Sequence, residues 1–389
     1  MKNLNKKILI LGGDGFCGWP TALHLSRQGY SVTILDSLVR RKIDKKLGTK
    51  SLTPIKSITT RIKTWNKINK YPIKFIKINL SLEEKKIYKI IKSIKPFSII
   101  HFAEQRSAPY SMKNSDLKRY TINNNSSVTT NIVNAIVESK LDIHLIHLGT
   151  MGVYGYDGNI EIPEGYLDVY IKNKKKFTKK NILFPTNPGS VYHLTKSIDQ
   201  LIFQYYNKND QIRITDLHQG IVWGTQTEET KKHKNLINRF DYDGDFGTVL
   251  NRFLVQSAIG LKMSVYGKGH QTRAFININD TVKCIKIALE NPPKKYEKVK
   301  IFNQATETFK LINLAKKISK LNNSKFKYFN HPRNEKEKNS LLLSNKNFLS
   351  AGLKPIKLKF GLMEEITDIV QKYQKYIIKS KIPFSSFWK

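Results

Sequence analysis

A chain of 389 residues is long enough for one large domain or two smaller ones around a substantial core. Its two cysteines, Cys17 and Cys284, are too few and too far apart for a disulfide framework or a structural zinc site, and no apolar run is long enough to span a membrane. The 68 Lys+Arg against 30 Asp+Glu give a formal net charge of +38, but the excess is mostly lysine scattered through loops, as AT-rich coding produces, so no nucleic-acid partner is expected.

The apolar run KILILGG reads as a first core strand that begins almost at once, which leaves no room ahead of it for a targeting segment. Short β-rich runs then alternate with helical stretches: GWPTALHLSRQG, YSVTILD, IKFIKINL with a Lys-rich helix, FSIIHFAE, TTNIVNAIVESK and IHLIHLGT. Repeated βαβ units predict α/β architecture with a doubly wound parallel sheet of Rossmann type. A helix from Tyr192 to about Tyr206 and the strand IRITDLHQGIVWG follow. Beyond Gly224 the pattern turns polar and turn-rich, which predicts a smaller α/β substrate lobe. The expected division is residues 1–223 for the first domain, with 273–303 returning to it, and 224–272 with 304–389 for the second. The stretches LINLAKKISKL and FGLMEEITDIVQKYQKYIIKSK are expected amphipathic helices, and YLDVYIKNKKKFTKKNILFP an alternating hairpin able to cover the site.

The turn ILGGDGFCGWP places Gly12, Gly15 and Gly18 between a buried strand and a helix. Glycines there permit the tight turn, let the backbone approach a pyrophosphate and allow close helix–strand packing. The pyrophosphate would rest on the helix N-terminus. Asp36, ending the next strand, is placed to bond ribose hydroxyls and argues for NAD over NADP, with Arg40 and Arg41 close by. Gly13, Asp14, Phe16, Cys17, Ser37, Asn79, Leu80, Phe102, Gln219 and Val222 complete the expected cofactor lining.

In SVYHLTK, Tyr192 and Lys196 stand one helical turn apart, so an ammonium can lie beneath a phenol and lower its pKa toward neutrality. Such a phenol can take a hydroxyl proton while NAD takes the hydride from the same carbon. Thr150 ends the strand before LGTMGVYG.

The order of glycine loop, acidic strand end, Thr150, Tyr192 and Lys196 resembles the extended short-chain dehydrogenase/reductases. Thr150, Tyr192 and Lys196 match that family's triad, and Asn125 its helix asparagine. Met151 and Gly152 stand where 4,6-dehydratases keep an Asp-Glu pair, which disfavours that reaction and leaves a UDP-glucose 4-epimerase as the alternative. Longer runs, HFAEQRSAPYSM, LGTMGVYG, VYHLTK, QTEET, FGTVLNRF and YGKGHQTRAFININD among them, resemble the UDP-sulfoquinovose synthase family over nearly the whole chain.

That resemblance implies a concrete chemistry: UDP-glucose and sulfite as substrates, C4 oxidation with Tyr192 as base, loss of the C6 hydroxyl, sulfite addition and re-reduction at C4. Arg106 would hold the anion, with Gln105 and Ser107 donating hydrogen bonds and His193 carrying protons. The competing readings are an Arg106–Glu104 ion pair and a structural hydrogen bond for His193. Met151 and Gly152 would supply room and apolar surface beside C6. Thr248, Asn251, Arg252, Gln271, Thr272, Arg273 and Arg333 would hold the uridine diphosphate, Gln219 would touch both ligands, and no metal is expected. Val153, Asn79, His218, Trp223 and His270 depart from the family pattern. The resemblance further implies a homodimer, a possible sulfite-supplying protein of glutamate synthase type, and the plastid stroma, with a bacterial cytoplasm as the alternative.

Overall fold

The computed structural model describes residues 6–155, 161–174, 176–331, 341–384 and 386. Seven strands form one parallel sheet: β1 (Lys7–Leu11), β2 (Ser31–Asp36), β3 (Ile73–Lys77), β4 (Ser98–His101), β5 (His144–Thr150), β6 (Arg213–Gln219) and β7 (Lys300–Gln304). Their spatial order is β7-β6-β5-β4-β1-β2-β3. Strand order therefore reverses between β1 and β4, and a ligand crevice opens at the carboxyl ends of those two strands.

Period-two alternation explains why both faces are apolar. Ile8 and Ile10 of β1 enter one core layer with Trp19, Val32, Ile34 and Ile100, while Leu9 and Leu11 enter the other with Leu35, Ile99, Ile132 and Leu145. Three helices matter for the site: α1 (Gly18–Arg27), α2 (Ser115–Ser139) and α3 (Val191–Asp210). Helix α3 begins at Ser190, whose hydroxyl accepts the His193 amide at 3.2 Å, and this cap fixes where Tyr192 and Lys196 leave the helix.

The second lobe has its own core, built on Trp223, Phe240, Tyr242, Phe253, Phe275, Leu314, Met363 and Val370. Its main sheet joins Ile221–Trp223 to Thr272–Asn277 and then to Glu307–Lys310. Residues 300–304 rejoin the large sheet as β7, and Ile278–Glu290 packs in the first core through Ile278, Cys284, Ile285, Ala288 and Leu289. Thr272–Asn277 instead pairs with Ile221–Trp223 and divides its side chains, Phe275 in the second core and Ile276 in the first. In addition, Leu52 lies in the second core, with its amide on the Phe240 carbonyl at 2.9 Å, so residues near 52 leave the first domain.

The hairpin is present as Tyr166–Asn173 paired with Lys176–Leu183, but it does not cover the cleft. Tyr166 donates to the Val299 carbonyl at 2.8 Å and accepts from Gln204 at 3.0 Å, which ties the hairpin beside the outer edge of the large sheet. The last expected helix ends at Tyr373, sooner than its amphipathic pattern runs. Among the described residues no helix is long and apolar enough to cross a membrane.

Candidate active site

A cleft of about 380 Å³ runs from the glycine turn, past the ends of β4 and β5, to the second lobe. Gly12 has φ of +78°, and a Cβ there would come within 2.8 Å of the Phe102 carbonyl carbon; at Gly18 it would meet the Gly12 carbonyl oxygen at 2.3 Å. Both contacts forbid a side chain, so the turn, the β4 end and the first turn of α1 sit against one another. Asp36 accepts the amides of Asp14 at 2.9 Å and Leu38 at 2.7 Å. Burial, reinforced by the nearby Asp14 charge, raises the Asp36 carboxyl to about 6.

The two arginines near Asp36 are already engaged. Arg41 donates to both oxygens of Asp14, at 2.6 and 2.9 Å, and Arg61 adds a third bond at 2.9 Å. Arg40 pairs with Asp44 and Asp241. With both guanidiniums engaged by carboxylates, Asp36 lines the cleft without a cationic partner of its own among these two, as expected of a carboxylate that bonds ribose hydroxyls.

Of the residues expected around the cofactor, Gly12, Asp14, Gly15, Phe16, Cys17, Gly18, Asp36, Ser37, Arg40, Asn79, Leu80, Phe102, Tyr192, Lys196, Gln219 and Val222 line this cleft. Gly13 instead packs against Ile34, Arg41 is held by Asp14, and Asn125 works behind the wall. The Asn125 amide bonds both the N–H and the carbonyl of Gln105, at 2.8 and 3.0 Å, and donates to Thr195 at 3.0 Å. It clamps the 104–107 loop to α3. Asn79 uses its side-chain oxygen locally, accepting from the Ser81 hydroxyl at 2.9 Å.

Thr150, Tyr192 and Lys196 do come together. All three line one cleft, and the Tyr192 amide donates to the Ser111 hydroxyl at 3.2 Å. The expected depression of the phenol is overturned: burial is the largest influence and raises Tyr192, and the Lys196 charge pulls against it without winning. Lys196 itself is opposed by burial, yet the Glu104 and Asp199 carboxylates carry it up to about 12. Its ammonium is fixed by Glu104 at 2.9 Å, the Leu148 carbonyl at 2.9 Å and His147 at 2.8 Å.

Sequence reading missed this floor. Glu104 immediately precedes the singled-out Gln105, His147 lies three residues before Thr150 on the same strand, and Asp199 follows Lys196 on the same helix face. The available signal was therefore buried charge at positions that should point inward. His101, Glu104 and His147 offer donor atoms within 4.8 Å of one another, but the Lys196 ammonium already occupies the side facing the cleft.

On the substrate side, Gln105, Arg106, Ser107, Thr150, Met151, Gly152, His193, Thr248, Asn251 and Arg273 line the same cleft. The Arg106–Glu104 pair is not formed. Arg106 bonds Asp241 at 2.5 Å, while Glu104 serves Lys196. His193 makes the expected structural hydrogen bond, Nδ1 to the Ser190 hydroxyl at 3.1 Å, and its ring lines the cleft beside Tyr192. Gly152 has a sharper role than the room expected of it, because a Cβ there would stand 2.3 Å from the His193 ring. Met151 packs with Val153, Tyr154, Ile162 and Leu341.

Arg252 lines a smaller cavity of about 170 Å³ that shares Thr248 and Arg273 with the main cleft. Gln271 and Thr272 are buried outside both cavities, Gln271 donating to the Tyr266 carbonyl at 3.3 Å. Arg333 lies outside the described residues. Arg239, unforeseen in the sequence, joins the cleft wall with both ends bonded, to Asp44 and to Asp241 at 2.8 Å.

A doubly wound sheet, a glycine turn facing Asp36, and a Thr-Tyr-Lys group at the switch point define an NAD-dependent enzyme, and the chain belongs to the NAD dependent epimerase/dehydratase family, whose profile matches residues 8–303. Within that class it belongs to the UDP-sulfoquinovose synthases. It is 40% identical over 99% of its length to the chloroplastic UDP-sulfoquinovose synthase of Spinacia oleracea, covering 79% of that protein. It is 35% identical over 98% of its length to the UDP-sulfoquinovose synthase of Sulfolobus acidocaldarius, covering 93% of it. The fold is also that of the UDP-glucose 4-epimerase of Thermotoga maritima solved with UDP-glucose, at a TM-score of 0.68, 18% identity and coverage of 95% and 99% of the two chains.

Proposed function

We propose that the chain converts UDP-glucose and sulfite to UDP-sulfoquinovose in this cleft. The observation that carries the reading is the single continuous lining in which the glycine turn, Thr150, Tyr192, His193 and Arg106 all face one space. Held along Gly12, Gly15, Gly18 and Asp36, NAD would supply a hydride acceptor for the C4 oxidation and the donor for its reversal, and so would not be consumed. Tyr192 takes the O4 proton with Thr150 bonded to the same oxygen, and Lys196 supplies the neighbouring positive charge. The C4 ketone acidifies the C5 hydrogen, the C6 hydroxyl departs as water, and sulfite adds to the 5,6-alkene. His193, seated on Gly152, is the group positioned to carry the protons at C5 and C6.

Arg106 would hold sulfite, while Arg252 and Arg273 would hold the diphosphate through paired N–H bonds. The Spinacia relative is chloroplastic and the Sulfolobus one archaeal, and the plastid stroma remains our reading, with a homodimer and a sulfite-supplying protein as further expectations. Incubation with UDP-glucose, NAD+ and sulfite should yield a sulfonated UDP-hexose by mass analysis. Formation of UDP-galactose alone would overturn this reading in favour of a 4-epimerase.

A further inference from the structure

An ionic cluster surrounds Lys196 at the floor of the cleft, which Glu104 and Lys196 both line. Glu104 is wedged there from the loop after β4. One of its oxygens faces the Lys196 ammonium at 2.9 Å; the other lies 3.2 Å from both His101 and His147. His147 bonds Asp216 at 2.8 Å, and Asp216 bonds His218 at 2.9 Å. His218 then meets the Tyr154 hydroxyl at 2.6 Å. His101, His147, Lys196, Asp216 and His218 are buried and the Glu104 side chain is 3% exposed, so each must be held by another.

We propose that Glu104 is a positioning residue for the oxidation step: it anchors the Lys196 ammonium and limits how much of that positive charge acts on the Tyr192 phenol. The acceptors of that ammonium are the Glu104 carboxylate and the Leu148 carbonyl, each at 2.9 Å, and His147 Nε2, which is turned to the same Glu104, lies 2.8 Å from it. Asp199 stands farther off, at 3.9 Å. Glu104 cannot retreat, because Asn125 clamps the next residue and two imidazoles grip its second oxygen.

Glu104 thus does two opposed things to the base. It secures the cation that favours the phenolate, and its own negative charge disfavours that phenolate. Tyr192 faces Lys196 and His193 from its own helix, Glu104 and Arg106 from the β4 loop, and Thr150 from β5. Burial raises the phenol most; Lys196 and Arg106 lower it, and Glu104 raises it. Removing the Glu104 charge while keeping its shape should therefore leave the cation in place and make the phenol more acidic.

The inference rests on the proposed oxidation of UDP-glucose, and its test separates the two. In the NAD-loaded enzyme, reduction of bound cofactor by UDP-glucose is followed by absorbance across pH. Glu104→Gln should retain reduction and move the acid limb of the rate profile down by about one pH unit. Glu104→Asp, which withdraws the charge without removing it, should move the limb less and in the same direction. A limb unmoved in both variants, with only a lower melting temperature, makes Glu104 merely structural and overturns the proposal, as does a limb moved upward. If the wild-type protein does not reduce its cofactor with UDP-glucose, the functional reading fails, yet NMR titration of carbon-13-labelled Tyr192 in the same holoenzymes still decides the Glu104 question. Should the Gln variant not fold, the Asp variant carries the test alone.

Discussion

Two ionic clusters flank the cleft and are built on opposite plans. The floor sets one ammonium, Lys196, among Glu104, Asp199, Asp216 and the histidines 101, 147 and 218. The wall sets three guanidiniums, Arg40, Arg106 and Arg239, around Asp44 and Asp241. Arg40 also stacks on Phe246, 3.6 Å from its ring centre. The floor is made of groups that exchange protons: burial and Glu104 push Asp199 up to about 8, and His147, despite burial and Lys196, is carried up to about 9 by Asp216 and Glu104. The wall is made of groups that keep their charge at working pH. The floor thus gathers titratable groups, and the wall fixed charges.

The largest effect should come from cutting the floor off from the substrate. Tyr192→Phe should lower C4 oxidation by about a thousandfold while NAD stays bound, measured as single-turnover cofactor reduction. On the wall, Asp241→Asn leaves three arginines without their shared carboxylate and should cost about 3 kcal/mol in denaturant unfolding. Burial works against the Asp241 charge, but Arg239 and the other arginines hold its carboxyl below the ordinary range. Its stabilising contribution is therefore present above the unfolded-state value and is lost as pH falls through the lower folded one. The Asn variant should show less acid sensitivity than the wild type.

Between the clusters, Gly152→Ala should displace the His193 ring and slow overall turnover by about tenfold. Cofactor reduction should fall less than sulfonation, and equal losses would deny His193 a separate role at C6. Asp36 offers a pH test outside both clusters. Its carboxyl titrates near 6 in the folded chain, and only the ionised form is a pure acceptor for ribose hydroxyls. NAD affinity, measured by calorimetry, should weaken as pH falls through about 6, and Asp36→Asn should flatten that dependence. Folding itself responds with the other sign: a raised carboxyl costs stability as pH rises through the same range. Smallest of all, burial raises the Cys17 thiol to about 12 despite the pull of Arg106 and Gln219, so iodoacetamide at neutral pH should leave it unmodified by mass analysis.

What could be read in advance was local. Gly12, Gly15 and Gly18 with Asp36 fix a turn whose constraints lie within a single βαβ unit, and Tyr192 with Lys196 needs only one helical turn. The Lys196 partners come from β5 and from the loop after β4, and Asp241 from the second lobe, so no sequence spacing announces them. The direction of the Tyr192 shift was misread for the same reason, since burial depends on every element packed around the phenol. The pairing of Thr272–Asn277 in the smaller sheet was not foreseen, because a short apolar run carries no mark of which edge it will join.

Strand β7 closes the large sheet only after the chain has built much of the second lobe, and Leu52 is lent to that lobe long before its core exists. During synthesis β6 must stand as an open edge, and the second core must stay incomplete, until residues beyond Gln304 have emerged. At about 10 residues per second that interval lasts on the order of ten seconds from the end of β6 to the end of β7. An exposed parallel edge invites pairing with other chains. The nascent polypeptide should thus be a client for chaperones, and separate expression of residues 1–223 should give an insoluble product rather than a working cofactor domain.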